Sequence, residues 1–163
     1  MLSSQILSFA ISNDDDPDSE VIAPDYANFY IPPDFPTKIY KNIKPISPSL
    51  ETKQARHFRT VLRTAATQMP NFAGNIVVTR WGCGSGCESF ALINVQTGKV
   101  WFPNFDMFYP FDNFKKGMGI YYQPDSNLFV AIGCQEGWSA PPTVYYYLWT
   151  GKTLNLLKTE SQL

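Results

Sequence analysis

Between residues 74 and 158 the apolar positions fall into short runs and period-two alternations, separated by glycine, proline, asparagine and aspartate. "NIVVTRW", "SFALINV", "KVWFP", "GIYYQ", "LFVAIG", "TVYYYLW" and "TLNLLK" read as about seven strands, rich in β-branched and aromatic residues. "QTG", "PDSN" and Thr150-Gly151-Lys152 are hairpin-length connections, which imply antiparallel neighbours. A single stretch has helical spacing instead. In "SLETKQARHFRTVLRTAATQ", residues 49–68, Phe58, Val61, Leu62, Ala65, Ala66 and, just beyond, Met69 form one apolar stripe. Ser49 is placed to cap this helix, Glu51 to meet its dipole, and Pro70 to end it. The pattern predicts an α+β fold: a mainly antiparallel β-sheet with one principal helix packed on it.

Upstream, Pro24, Pro32, Pro33, Pro36, Pro45 and Pro48 interrupt the short pieces "YANFYI" and "TKIYKNI". Prolines at that density predict an extended N-terminal wrap rather than central strands. Residues 1–20 carry Asp14, Asp15, Asp16, Asp18 and Glu20 with no Lys or Arg, against a net charge of −1 for the chain. They are expected to form an acidic flexible tail, with residues 21–163 as a single α+β domain.

Charge and cysteine content narrow the partners. A near-neutral chain provides no global field for nucleic acid, and no run approaches the roughly 18 apolar residues of a membrane span. The opening "MLSSQILSFAISNDDD" lacks a basic n-region and a small-residue cleavage site, so a cytoplasmic setting is expected, or a periplasmic one for a processed form. Three cysteines allow at most one intrachain bridge.

The candidate chemistry centres on "RWGCGSGCE", residues 80–88. Cys83 and Cys87 have three residues between them and strands on both sides, whereas thioredoxin-type dithiols have two and open a helix. Zinc would need Cys83, Cys87, Cys134 and His57 from distant parts of the chain. The loop also fails the G-x-S-x-G elbow around Ser85. The open alternatives are a disulfide bent by Gly84 and Gly86, a reduced pair packed at a turn, and a nucleophilic cysteine served by His57. Asn71 and Gly74 in "PNFAG" are expected to shape the helix-to-sheet corner, with Trp81, Cys83, Gly84, Gly86 and Cys87 shaping the loop.

Two further surfaces suit recognition. The stretch "WFPNFDMFYPFDNFKKGMGIYY", residues 101–122, sets rings beside acids; Trp101, Phe105, Asp106, Phe108, Tyr109 and Asp112 are its candidate contact residues, with a plain aromatic core as the competing reading. Arg56, Arg59 and Arg63, with Lys53, flank the helical stripe. Such a flank is either solvated or meets phosphate or an acidic protein surface, with an inward Arg59 paired to a carboxylate as a further alternative.

The order "FRTVLRTAA", "PNFAG", "WGCGSGC", "INVQTGKVWFP", "PDSNLFVAIG", "YYYLWTG" resembles a group of small uncharacterised bacterial proteins that share a PNFAG…WGCG core and a strand-rich C-terminal half. Members of that group often look exported, which implies conditions permitting a Cys83–Cys87 disulfide. The resemblance implies no activity. With one histidine, no phosphate loop and no acid/base pair, the residues favour a non-enzymatic protein-binding domain, of the bacterial immunity or inhibitor type that masks a toxin. The rival is a cysteine-dependent enzyme or thiol/disulfide protein. No cofactor and no metal are expected.

Overall fold

The computed structural model describes residues 35–109 and 118–161, all within one unit of the chain, Pro32–Leu163. The acidic segment 1–20, the start of the proline-rich stretch and Asp112 lie outside the described residues. Among the described residues two short helices, α1 (Lys53–His57) and α2 (Arg59–Ala65), precede eight strands: β1 (Ile76–Gly84), β2 (Cys87–Asn94), β3 (Val100–Trp101), β4 (Met107–Phe108), β5 (Gly119–Tyr121), β6 (Leu128–Gly133), β7 (Thr143–Trp149) and β8 (Leu154–Ser161). All pairings are antiparallel.

The strands build two sheets, not the expected one. The first runs β1-β2-β3, with β4 also on β2, and the second runs β5-β6-β7-β8. The reason lies in the alternation along β1 and β2. Ile76, Val78, Phe90 and Leu92 point to one face, and Val77, Ala91 and Ile93 to the other, and all are buried. A sheet apolar on both faces needs two covers. The helices supply one, through Ala55, Leu62, Ala65 and Ala66. The second sheet supplies the other, through Phe129, Ala131, Tyr147 and Trp149. Rings interlock across this inter-sheet core: Phe129 stacks on Phe90 at 5.1 Å and on Tyr122 at 5.9 Å. Strand β6 is buried along its whole length, which explains why "LFVAIG" is continuously apolar rather than alternating. The described part of the chain is therefore mostly β.

The expected single helix also breaks, at Phe58, where φ is −94° and ψ is 18°. There the Phe58 ring packs against Trp81 at 4.5 Å and Phe102 at 6.2 Å. Thr52, not Ser49, caps the first helix: its Oγ1 accepts from the Ala55 N–H at 3.0 Å. The Ser49 N–H donates to the Gly98 carbonyl instead, which leaves Ser49 and Glu51 outside the helix. Met69, expected in the buried stripe, is 81% exposed because α2 ends at Ala65 and the chain turns away before it.

The proline-rich segment does wrap, as far as it is described. Its backbone donates from Thr37 to Asp125, from Tyr40 to Gly74 and from Ile46 to Val95, so it is stitched to successive loops without forming a strand. The "PNFAG" corner is clasped the same way. Phe72 is fully buried, and Gly74, at φ 80°, sits where a Cβ would collide with the Lys38 carbonyl oxygen. Asn71 guards the open edge of β1: its Nδ2 donates to the Val78 carbonyl at 3.2 Å, and its Oδ1 accepts from the Val78 N–H at 2.8 Å. One side chain thus replaces a neighbouring strand at that point.

Candidate functional site

The "RWGCGSGCE" stretch is a tighter object than a glycine loop. Strand β1 runs to Gly84 and β2 starts at Cys87, so Ser85 and Gly86 alone make the turn. Gly82 pairs with Glu88 and Gly84 with Cys87, leaving Cys83 as the extra residue of a β-bulge. Cys83 and Cys87 are joined by a disulfide, their Cα atoms 5.1 Å apart, within the usual range. Of the alternatives left open by the sequence, the bridged pair is the one present.

The tip is fastened on a second side. Strand β4 pairs with β2 through Phe108–Cys87 and Met107–Glu88, and the Tyr109 N–H donates to the Gly86 carbonyl at 2.8 Å. Phe108 also bridges to Cys134, so β4 links the end of the first sheet to the second. Gly86 is at φ 60°, and the Trp138 ring lies against it so closely that a Cβ would come within 2.6 Å of the indole. Trp138 packs edge-on to Phe108 at 5.9 Å and remains 45% exposed.

Period two then sorts the neighbouring side chains onto opposite faces of the hairpin. On the helix side stand Trp81, Ser89 and the disulfide. The Ser89 hydroxyl donates to Asp106 Oδ1 at 2.5 Å. Cys83 Sγ, Cys87 Sγ and an Asp106 carboxylate oxygen lie within 4.8 Å of one another. On the side facing the second sheet, Arg80 Nε and Nη2 donate to Glu88 Oε1 and Oε2 at 2.6 and 2.9 Å, a bidentate pair across the strands. The Tyr109 hydroxyl donates to Glu88 Oε2 at 2.7 Å.

Burial would lower the Arg80 pKa, but its bond to Glu88 and the charge of that carboxylate outweigh it and raise the guanidinium further. Burial, then the charge and hydrogen bond of Glu88, push the Tyr109 phenol well above its usual range. Burial raises Tyr121 to about 12, with Arg80 opposing and Glu88 assisting. Around a carboxylate this well partnered, the phenols stay neutral donors.

The zinc set considered from sequence is not brought together. The ligand-type cluster at the disulfide contains Asp106, and neither His57 nor Cys134 belongs to it. Cys134 is fully buried, donates from Sγ to the Ala140 carbonyl at 3.0 Å, and has its pKa raised by burial. His57 is exposed at the end of α1 and meets Phe58 edge-on at 4.7 Å. The two sulfurs are bonded to each other, so neither is a free thiolate for His57 to serve.

The ring-rich stretch divides. Trp101 packs on Trp149, and Phe105 stacks on Tyr147 and meets Phe90, so both rings extend the inter-sheet core. Phe108 and Tyr109 instead support the tip, and Asp106 stands beside the disulfide. Arg56, Arg59 and Arg63 are all exposed. Arg56 donates to the Leu50 and Glu51 carbonyls and Arg59 to the Arg56 carbonyl, so two of the three spend donors on the helix entrance and backbone.

Sequence reasoning missed three members of this site. Arg80 and Glu88 flank the motif, and an opposite charge at each end of a glycine-cysteine hairpin is itself a signal for a cross-strand pair. Trp138 had no local signal; it lies against Gly86 through long-range packing that includes its contact with Phe108, which bridges to Cys134. A depression of about 230 Å³ lined by Leu92, Asn94, Lys99, Val100, Trp149, Gly151 and Lys152 lies elsewhere, smaller than the roughly 300 Å³ at which ligand pockets begin. No helix among the described residues is long and apolar enough to cross a membrane. No protein-family model, curated protein or solved structure matches the chain.

Proposed function

We propose that the protein is a non-enzymatic protein-recognition domain, of the inhibitor or immunity type, whose contact surface is the disulfide-tied tip of the β1–β2 hairpin with Trp138. The observation that carries this reading is the exposed Trp138 indole seated on a turn that is fixed four ways: by the bulge, the disulfide, the Gly86–Tyr109 bond and the Phe108–Cys134 bridge. A rigid projection loses little conformational freedom on binding, and exposed tryptophans anchored on rigid backbone are frequent interface hot spots. The bridged cysteines suit an oxidising compartment, where such a partner would be met.

Affinity capture with the full chain, compared with Trp138→Ala, tests the reading. A partner held by the wild type should bind Trp138→Ala at least about thirtyfold more weakly, the equivalent of a 2 kcal/mol hot spot. Equal retention of every captured protein by the two chains would sink it.

A further inference from the structure

The tip carries a donor set that recognition does not use. We propose that, once its disulfide is reduced, the hairpin tip is a binding site for a zinc-class divalent cation, with Cys83, Cys87 and Asp106 as ligands. The proposal stands apart from the recognition reading and does not need a partner.

The geometry comes first. The three ligand atoms already lie within 4.8 Å of one another, on one face of the hairpin. Around tetrahedral zinc, Zn–S lengths of about 2.3 Å and Zn–O lengths of about 2.1 Å set donors about 3.5 to 3.8 Å apart. Reduction lets the two sulfurs separate to that spacing, and Asp106 is already within reach of both. Alternation beyond the Gly82–Glu88 pair puts Cys83 and Cys87 on one side of the hairpin, and Gly84 and Gly86 flank the short turn that must adjust. Cys83 is exposed, so an ion reaches the site from solvent.

The chemistry follows from the donors. Two thiolates and one carboxylate mix soft and hard ligands, a set that zinc accepts because its filled d shell imposes no geometry. Three protein ligands leave the fourth position to water. The Ser89 hydroxyl donates to Asp106 Oδ1, the kind of supporting bond that orients a ligating carboxylate.

The switch balances with a small dithiol as reductant. Its two sulfurs give two electrons and two protons to the Cys83–Cys87 bond and close into a cyclic disulfide, leaving two cysteine thiols. Binding the cation then displaces those two protons to solvent and forms two metal–sulfur bonds. A loaded tip cannot re-form its disulfide until the ion leaves.

The test uses the full chain, reduced with a phosphine under anaerobic conditions and freed of it, then titrated with zinc against a chromophoric chelator and with cobalt for its visible d–d bands. One ion per reduced chain is expected, with tetrahedral cobalt bands and two protons released. The oxidised chain should bind at least a hundredfold more weakly. Asp106→Asn should weaken binding of the reduced chain by at least about tenfold, and the gentler Ser89→Ala by a smaller factor. Cys134 is present in every protein compared, so its contribution cancels. Far-ultraviolet circular dichroism of the reduced, metal-free chain should keep the β signal, and loaded protein should resist reoxidation. Equal binding by oxidised and reduced chains, undiminished binding by Cys83→Ser/Cys87→Ser, or wild-type affinity and cobalt spectra in both Asp106→Asn and Ser89→Ala would each overturn the proposal.

Discussion

The two ends of the β1–β2 hairpin are built from the same backbone pairing but held by different forces. At the root, Ile76, Val77, Val78, Leu92 and Ile93 are buried on both faces, between the helices and the second sheet. At the tip, from Arg80 to Glu88, most residues are exposed or half-buried, and the hairpin is held by a disulfide, a bidentate ion pair, the pairing of β2 with β4 and the Tyr109–Gly86 backbone bond beside it. The root is stabilised in proportion to the apolar area it hides. The tip hides little, so its order comes from a covalent link that restricts the unfolded chain and from polar groups that satisfy one another. The fold can therefore change its tip chemically without disturbing its root.

Truncation at the root should cost most. Leu92 is 1% exposed and packs in the inter-sheet core, so Leu92→Ala should lower unfolding free energy by about 2–5 kcal/mol, transfer and cavity terms together. Denaturant titration would show it as a large drop in midpoint at unchanged slope. A loss under about 1 kcal/mol would mean that the two sheets do not share one close-packed core. At the tip, Cys83→Ala/Cys87→Ala opens a loop of only five residues, and loop-closure entropy puts the cost at ~2 kcal/mol. Near-ultraviolet circular dichroism and cooperative unfolding should both survive. Collapse of the whole fold in this variant would erase the distinction between the two ends.

The same contrast decides what the sequence could reveal. The strand runs and the turns at "QTG", "PDSN" and Thr150-Gly151-Lys152 rest on local chemistry, and they read correctly along the chain. The second sheet did not, because period two says that a strand has two faces but not which distant strand covers each. Phe105 and Trp101 show the cost. Their density beside acids resembles a contact surface, yet their rings fill the space between sheets, and that depends on where Tyr147 and Trp149 lie. The Cys83–Cys87 pairing stayed one of several alternatives because three residues lie between the cysteines. The hairpin register that sets them side by side is invisible without the partner strand. Asp106 comes to the disulfide beside the β4 pairing, and Trp138 comes to Gly86 beside the Phe108–Cys134 bridge, both long-range features.

The smallest expected effect is set by pH, and it tests both ends together. Burial raises the phenols of Tyr121, near the ion pair at the tip, and Tyr147, in the inter-sheet core, to about 12 from an ordinary value of 10.0. For Tyr147 the bond with Gln135 opposes the rise, and the charge of Tyr145 adds to it. A phenol with a raised folded-state pKa is protonated in the native chain where the unfolded chain has already ionised. Its stabilising contribution is therefore whole below pH 10 and is lost between pH 10 and about 12. Melting temperature should be flat to about pH 9.5 and then fall, and the part of the phenolate absorbance that Tyr147→Phe removes should rise together with unfolding rather than before it. Tyr147 is 6% exposed, and each such proton contributes a slope of up to about 1.4 kcal/mol per pH unit. Tyr147→Phe should flatten the alkaline limb by about that amount, and Tyr121→Phe by less, since Tyr121 is only half-buried. A Tyr147 signal, taken as wild-type minus Tyr147→Phe absorbance, that titrates near pH 10 in the still-folded protein would show that this ring is wet, and the root would then differ from the tip far less than its packing implies.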